Sequence, residues 1–314
     1  MAMNAQDLCA MQECLVAYKK LLDWLPTLNE LEVEMKADRI DIINHLVKVC
    51  GGELNKISEE YRKEVKMTRA IIDVDSYLYK AALTCNELIE IQEGIYYEAY
   101  NINKAKAFLT ETFNNLASKC NCDEYILVTG GVGTNFRNII NPEYKANRKK
   151  QAKPIMLEKV RELVFKTFPT VYFPYLEADD TCRILSEDGG DNVIISPDKD
   201  LRTFVGKVYD SYHDEVRYIS PVQAEANFKR QLLIGDKTDG YSGIPKIGPA
   251  RADKLLVDGI KIDDIIQMYI DAGLGIETFE TVYNCAKILG KEDYKDGVIT
   301  LYGGKKLDLN AYQG

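Results

Sequence analysis

Histidine is almost missing from this chain. His45 and His213 are the only two in 314 residues. They lie far apart in sequence, which argues against histidine acid–base chemistry and a histidine-ligated zinc. Zinc-framing cysteine pairs are absent too. The eight cysteines are scattered, the closest two are Cys120 and Cys122, and no C-x-x-C occurs. They read as reduced thiols of a cytosolic protein. No apolar run approaches the ~20 residues that span a bilayer. The opening MAMNAQDLCAMQEC is polar and acidic, unlike a secretory signal. The expected setting is therefore cytoplasmic, with no membrane partner. Basic excess is lacking as well, since the net charge is −9. That argues against a protein that coats nucleic acid nonspecifically. It leaves room for an enzyme whose acids share one metal-filled pocket while its cations cluster elsewhere.

What is present is an ordinary globular balance, 46% hydrophobic and 28% charged, long enough for one substantial core and a smaller module. Residues 1–66 read as helices, with Leu15, Tyr18, Leu22 and Leu25, then Ile40, Ile43 and Val47, at helical spacing. They carry no catalytic signature and fit a packing or partner-binding extension. From about Ala70 four short apolar runs appear: AIIDVD, YILVTGG, VYFPYLEADD and NVIISPDKD. Helical stretches separate them, at Lys104 to Ser118, Ile155 to Phe165 and Asp179 to Leu185. Buried strands alternating with helices predict a parallel α/β sheet. Such sheets bind ligands beyond the carboxyl ends of their strands. After Pro221 a helix around Gln223 to Ile234 leads into GDKTDGYSGIPKIGPARADKLL. The remainder reads as mostly helical, with the last fourteen residues as a tail. The expected division is 1–66, 67–220 and 221–314.

Acids gather at or just past the strand ends. They are Asp73 and Asp75, then Glu177, Asp179 and Asp180, then Asp198 and Asp200, with Asp236 and Asp239 in a later loop. Singly, each group has a plain explanation. D-x-D serves as a turn or cap, and E-A-D-D favourably charges a helix N-terminus. Brought to one sheet edge together, such carboxylates repel and need cations or raised pKa values. Hard oxygen ligands without histidine or cysteine select Mg²⁺ or Mn²⁺. Two such ions about 4 Å apart suit phosphodiester hydrolysis, one activating water and both stabilising the attacking and leaving oxygens. GDKTDG lacks the ligand spacing of a calcium hand. TGGVGTN at 129–135 lacks the G-K-[ST] of a P-loop and the third glycine of a dinucleotide fingerprint, and reads as a flexible turn.

Between Arg137 and Lys166 stand nine Lys/Arg against three Glu, a local +6 in an acidic chain. A solvated helix face would account for it. NPEYKANRKK, however, opens with a turn and sets Tyr144 among Lys145, Arg148, Lys149 and Lys150. That suits a strand-gripping arch, with an aromatic for stacking and cations for phosphates. GIPKIGPARADKLL has the form helix–hairpin–helix. Gly243 and Gly248 permit tight turns, and Pro249 suits a first helical turn. The exposed amides there, with Lys246 and Arg251, would face a DNA phosphate.

IIDVDSYLYKAA, NPEYKANRKK, LEADD, SPDKD and GDKTDGYSGIPKIGP occur in the order of the 5′-nuclease superfamily, and the chain resembles that family over about residues 68–256. The likeness is nearest to T7-type bacteriophage 5′→3′ exonucleases. It implies a PIN-like, mainly parallel sheet flanked by helices, a helical arch at about 137–166 and a helix–three-turn–helix module. It implies a metal-dependent 5′→3′ exonuclease or flap endonuclease of DNA replication or repair. It carries Asp73, Glu177, Asp179, Asp180, Asp198, Asp200, Asp236 and Asp239 over as metal ligands. Lys80, Lys145 and Arg148 become phosphate contacts, and Gly243 to Gly248 a K⁺-binding, duplex-gripping loop. DNA with a 5′ end, flap or junction becomes the partner, extending to RNA–DNA hybrids. One departure stands out: the family places an aspartate after the second strand, and here Gly130 stands instead, with Asp75 the nearest substitute. A catalytically weakened junction-binding protein and a PIN-type ribonuclease are the rival readings.

Overall fold

Ala70, Ile71 and Ile72 are completely buried, and the strand they form, β1 (Thr68–Asp73), lies inside a sheet rather than at its edge. The computed structural model describes residues 67–131, 135–147 and 153–312. The expectations for residues 1–66, and for Arg148, Lys149 and Lys150, fall outside the described residues.

Helix α1 (Asp75–Thr84) comes after β1. A hairpin, β2 (Asn86–Gln92) and β3 (Ile95–Tyr100), precedes α2 (Ile102–Lys119). Then come β4 (Glu124–Val128), α3 (Phe136–Ile140), α4 (Leu157–Thr167), β5 (Thr170–Val171), α5 (Ala178–Ser186) and β6 (Asp191–Ile195). Strands β7 (Gly206–Asp210) and β8 (Glu215–Ile219) complete a six-stranded sheet ordered β5-β4-β1-β6-β7-β8. Every pairing is parallel except β7 with β8.

Alternation along the strands sorts side chains into two layers. Ala70, Ile72, Val193 and Ile195 pack on one side with Leu78 of α1, Leu109 and Phe113 of α2 and Val160 of α4. Ile71 and Ile194 pack on the other with Ala178, Cys182 and Leu185 of α5 and with Leu201. Because both faces are covered, the strands read as unbroken apolar runs. Helix α2 starts where the Asn101 side chain accepts from the Asn103 amide. It buries Ala105, Leu109, Phe113 and Ala117 at a spacing of four.

Three expectations change. Of the third apolar run only Val171 pairs as strand, together with Thr170 just before it. Pro169 and Pro174 flank them and cannot donate to a ladder, so residues 172–176 cross to α5 as a loop. The hairpin β2–β3 is an addition to the expected elements, although Glu93-Gly94 separates its two β-rich runs and Gly94 adopts φ +74°. Residues 301–312 of the expected tail are not loose. After α6 (Pro221–Ile234), the pair β9 (Gly235–Asp236) and β10 (Tyr241–Ser242), and helices α7 (Pro249–Val257), α8 (Ile262–Asp271) and α9 (Gly275–Ala286), the chain forms β11 (Tyr294–Lys295), β12 (Val298–Thr300) and β13 (Lys306–Asp308). Ile299 and Leu309 are completely buried beside Phe136, Leu176 and Ile184. All described residues belong to one compact unit. No described helix is long and apolar enough to cross a membrane.

Candidate metal centre

β1, β4 and β6 run side by side and parallel, so the segments leaving their carboxyl ends meet at one rim. Asp73 ends β1 and Asp75 opens α1. Ser196 and Asp198 lie just past β6, where Asp198 caps a short 3₁₀ turn by accepting from the Asp200 amide (2.9 Å). Glu177 caps α5, which brings Asp179 into its first turn. Asp73, Asp75, Glu177, Asp179 and Asp198 line one cavity of 730 Å³, as does Lys145. Asp200, Asp236 and Asp239 form a second group next to it. Asp198, Asp236 and Asp239 all oppose ionisation of Asp200.

The strain in this arrangement is electrostatic. Burial, helped by the Asp75 charge, pushes the Asp73 carboxyl up to about 7, although Ser196 Oγ donates to it at 2.8 Å. Burial raises Asp179 well above the carboxylate range, with Asp73, Asp198 and Glu177 adding to the effect. Burial and Asp198 lift Asp200 to about 6. Burial likewise opposes charge on Glu177, but Arg137 and Lys145 outweigh it and hold that carboxyl below its usual range. The Lys145 ammonium lies 2.5 Å from Glu177 Oε1 and 3.4 Å from Asp239 Oδ2. It bridges one acid of each group, as a cation between them would. Oxygen-only donors, acids held partly protonated and a cation already drawn between two of them all fit hard divalent ions. Among the described residues, no three of these acids stand close enough to grip an ion without adjustment.

Gly130 proves informative. The Asp75 carboxylate accepts from Thr129 Oγ1 (2.8 Å) and from the Gly130 amide (3.1 Å). A Cβ on residue 130 would come within 3.1 Å of Asp75 Oδ2. Asp75 thus reaches across to the end of β4, beside the place where a side chain at 130 would begin. Gly131 is there for close packing rather than flexibility, because a Cβ would meet the Phe173 carbonyl oxygen at 2.1 Å.

Two expected site residues are placed otherwise. Asp180 is completely buried, and both its oxygens are occupied. Oδ2 accepts from Arg137 Nη1 (2.7 Å) and the Glu177 amide (3.1 Å), while Oδ1 accepts from Arg137 Nη2 (2.8 Å) and the Leu289 amide (2.9 Å). No lone pair is left for a metal, so Asp180 is a structural anchor. Tyr144 is 3% exposed and cannot stack on a base. Its hydroxyl donates to Glu177 Oε2 at 2.8 Å and lies 3.2 Å from Asp239 Oδ2, so it spans the two acid groups. Lys80 is exposed on α1 with its ammonium over the Tyr77 ring. Gly243 packs against the backbone of residues 233–235, where any Cβ would clash. Lys246, Gly248 and Arg251 are exposed around the start of α7, and a Cβ on Gly248 would meet nothing. Arg137 and Arg161 join the site without having been expected in it. Arg137 has no sequence signal beyond membership of the basic stretch, whereas Arg161 also interrupts an apolar helical stripe.

The Asp73 shift has a measurable consequence. A cation seated on this carboxylate must displace its proton. Mn²⁺ binding should therefore release a proton near neutrality, with apparent affinity falling about tenfold per pH unit below about 7. Calorimetric titration in two buffers of different ionisation enthalpy reads this directly. Metal-free stability runs the opposite way with pH. The native fold holds this proton more tightly than the unfolded chain does, so stability is lost as pH rises from 3.8 through about 7. In EDTA the melting midpoint should drop between pH 6 and pH 8, and Mn²⁺ should shrink that drop.

Residues 68–230 match the family described as "5′-3′ exonuclease, N-terminal resolvase-like domain". The chain is similar to the exodeoxyribonuclease of Enterobacteria phage T3, 24% identical over 244 residues that cover 70% of this chain and 80% of that protein. It is similar to a 5′-3′ exonuclease of Aquifex aeolicus, 26% identical over 263 residues that cover 77% and 84%. Among solved structures, a phage T5 protein co-crystallized with metal ions superposes with a TM-score of 0.52 at 17% identity, over 69% of this chain and 89% of that one. That last likeness establishes the PIN-like fold.

Proposed function

The chain belongs to the 5′-3′ exonuclease family through its N-terminal resolvase-like domain, and from that premise we propose that it hydrolyses DNA phosphodiesters at or near a free 5′ end. The observation that carries the reading is the gathering of Asp73, Asp179 and Asp198 in one cavity, where burial and mutual repulsion oppose their charged forms and a bound divalent cation would favour them. Asp73, Asp75, Asp179 and Asp198 would hold one divalent ion, Mg²⁺ or Mn²⁺. Glu177, Asp200, Asp236 and Asp239 would hold a second. Such ions, when bound, lower the pKa of water and stabilise charge on the attacking and leaving oxygens.

The chain's own residues do the rest. Tyr144 orients Glu177 and keeps it beside Asp239. Arg137 and Lys145 keep Glu177 ionised and ready to bind a cation. Lys145 moves from the carboxylates toward phosphate as cations and DNA arrive, joined by Arg148 and Lys80. Lys246, Gly248, Arg251 and the amides at the start of α7 grip duplex phosphates, and K⁺ organises the hairpin from Gly243 to Gly248. RNA–DNA hybrids fall within the same chemistry, since backbone phosphates are what these groups meet. All five described cysteines are free thiols, which supports a reducing, cytoplasmic setting. Residues 1–66 would serve a protein partner.

The test uses one flap substrate labelled at its 5′ end and the same substrate labelled at its 3′ end. Mg²⁺-dependent release of 5′-labelled product is expected, with mononucleotides marking exonucleolytic cutting and a whole arm marking flap cutting. Cleavage that persists in EDTA, or that starts from the 3′ end, would refute the assignment.

A further inference from the structure

Arg161 occupies a position that its helix otherwise reserves for the core. Leu157, Val160 and Val164 are the buried residues of α4, and Arg161 completes the i, i+3, i+4, i+7 stripe they define. Its side chain is 31% exposed and lines the cavity that holds Asp73, Asp179 and Asp198. Its Nε is buried and has no hydrogen-bond partner. The acid paired with it is Asp75, whose Oδ1 lies 3.7 Å from Nη2. This contrasts with the neighbouring arginine. Arg137 directs its guanidinium at two Asp180 oxygens, at Glu177 and at the carbonyls of Cys285 and Lys287, all within 3.2 Å.

An arginine that merely neutralised Asp75 would close to the 2.5–2.8 Å found for Lys145 with Glu177 and for Arg137 with Asp180. Arg161 instead keeps most of a planar fork of donors unspent, among the residues that line the acid-bearing cavity. Leaving a buried donor unpaired is unfavourable. It is reasonable where the missing acceptor arrives with a ligand. A guanidinium fork matches two oxygens of a phosphodiester, and a cavity of 730 Å³ has room for one nucleotide unit.

We propose that Arg161 forms a phosphate-binding subsite in this cavity, gripping a backbone phosphodiester of the strand being cut. The inference rests on the nuclease reading above. It is distinct from the phosphate contacts assigned to Lys145 and Arg148, because Arg161 reaches the cavity from α4, at the far end of the same basic stretch.

The experiment uses the full chain and a set of 5′-flap DNAs, each carrying one uncharged methylphosphonate at a different position near the branch. Dissociation constants are read in EDTA, and KM in Mg²⁺. The wild-type protein should lose roughly tenfold in affinity when the gripped phosphate is neutralised. Arg161→Ala should lose a similar factor on unmodified DNA and nothing further at that one position. Arg161→Lys should recover part of the loss, since it restores charge without the fork. If Arg161→Ala does not fold, Arg161→Gln keeps the stem and serves the same cycle. Effects that multiply at every position, or an Arg161 variant that binds as tightly as wild type while wild type cuts the flap, would overturn the subsite and leave the nuclease reading intact. Wild-type protein that neither binds nor cuts any flap would bring down both.

Discussion

Replacing Asp179 with asparagine should slow cleavage by orders of magnitude and, at the same time, make the metal-free protein more stable. The carboxylate lines the cavity and stands in the field of Asp73, Asp198 and Glu177. Its charged form is therefore opposed from several sides. Asparagine keeps the shape and removes the charge. The native state binds the Asp179 proton more tightly than the unfolded chain does, so wild-type stability falls as pH climbs from the ordinary carboxylate value toward the raised one. Asp179→Asn escapes that fall, and its advantage in EDTA should widen from pH 6 to pH 8. A gain of about 1 kcal/mol would move the midpoint by roughly 2–4 °C in a chain of this size. Mn²⁺ should then stabilise wild type markedly and the variant little. The rate on flap DNA should drop by about 10²- to 10³-fold, the scale on which groups that stabilise transition-state charge act. Melting curves in EDTA and Mn²⁺ beside single-turnover cleavage separate the outcomes. A variant that is less stable without metal, or that cuts at the wild-type rate, would show that Asp179 is neither strained nor a ligand.

The opposite pattern is expected one residue later. Asp180→Ala should cost about 3–5 kcal/mol of folding stability, because it strands Arg137 as an unpaired buried charge. Arg137 is 2% exposed and Asp180 is completely buried. The pair joins α3 to α5, and the Asp180 and Arg137 contacts to Leu289, Cys285 and Lys287 tie both to the end of α9 and the chain beyond it. Against a typical total of roughly 5–15 kcal/mol, this is enough to threaten folding at 37 °C. Mn²⁺ should not rescue the loss. Replacing both partners with apolar residues of similar volume should recover much of it, since the stranded charge disappears. Urea midpoints for the single and double variants decide the matter. An Asp180→Ala protein as stable as wild type but unable to bind Mn²⁺ would return this residue to the ligand set.

The difference between these neighbours could not be read from E-A-D-D. Both aspartates come after a capping glutamate, and both look equally available. Helical geometry turns them about 100° apart. Asp179 faces the cavity, while Asp180 faces α3 and meets an arginine 43 positions earlier. Tyr144 misleads for a similar reason. Lying among cations in NPEYKANRKK, it looks like a stacking residue, yet a hydroxyl that reaches two carboxylates draws the ring inward beside Tyr241. Arg161 does carry a signal, a charge inside an apolar stripe, but charge counting over the whole basic segment hides it.

Sequence alone determined the alternation of buried strands and covering helices between residues 68 and 195, and with it the gathering of Asp73, Glu177, Asp179 and Asp198 at one rim. Local periodicity and the parallel sheet rule suffice for that, because parallel strands present their carboxyl ends together. Tertiary structure decided which acids remain open to cations and which are spent as anchors. It decided that Asp75 reaches across to Gly130 and that the final strands close over Phe136. Those outcomes depend on partners tens to more than a hundred residues away, and on which donors reach a buried oxygen first. No local pattern encodes that competition, since burial makes each hydrogen bond obligatory only after the chain has folded around it.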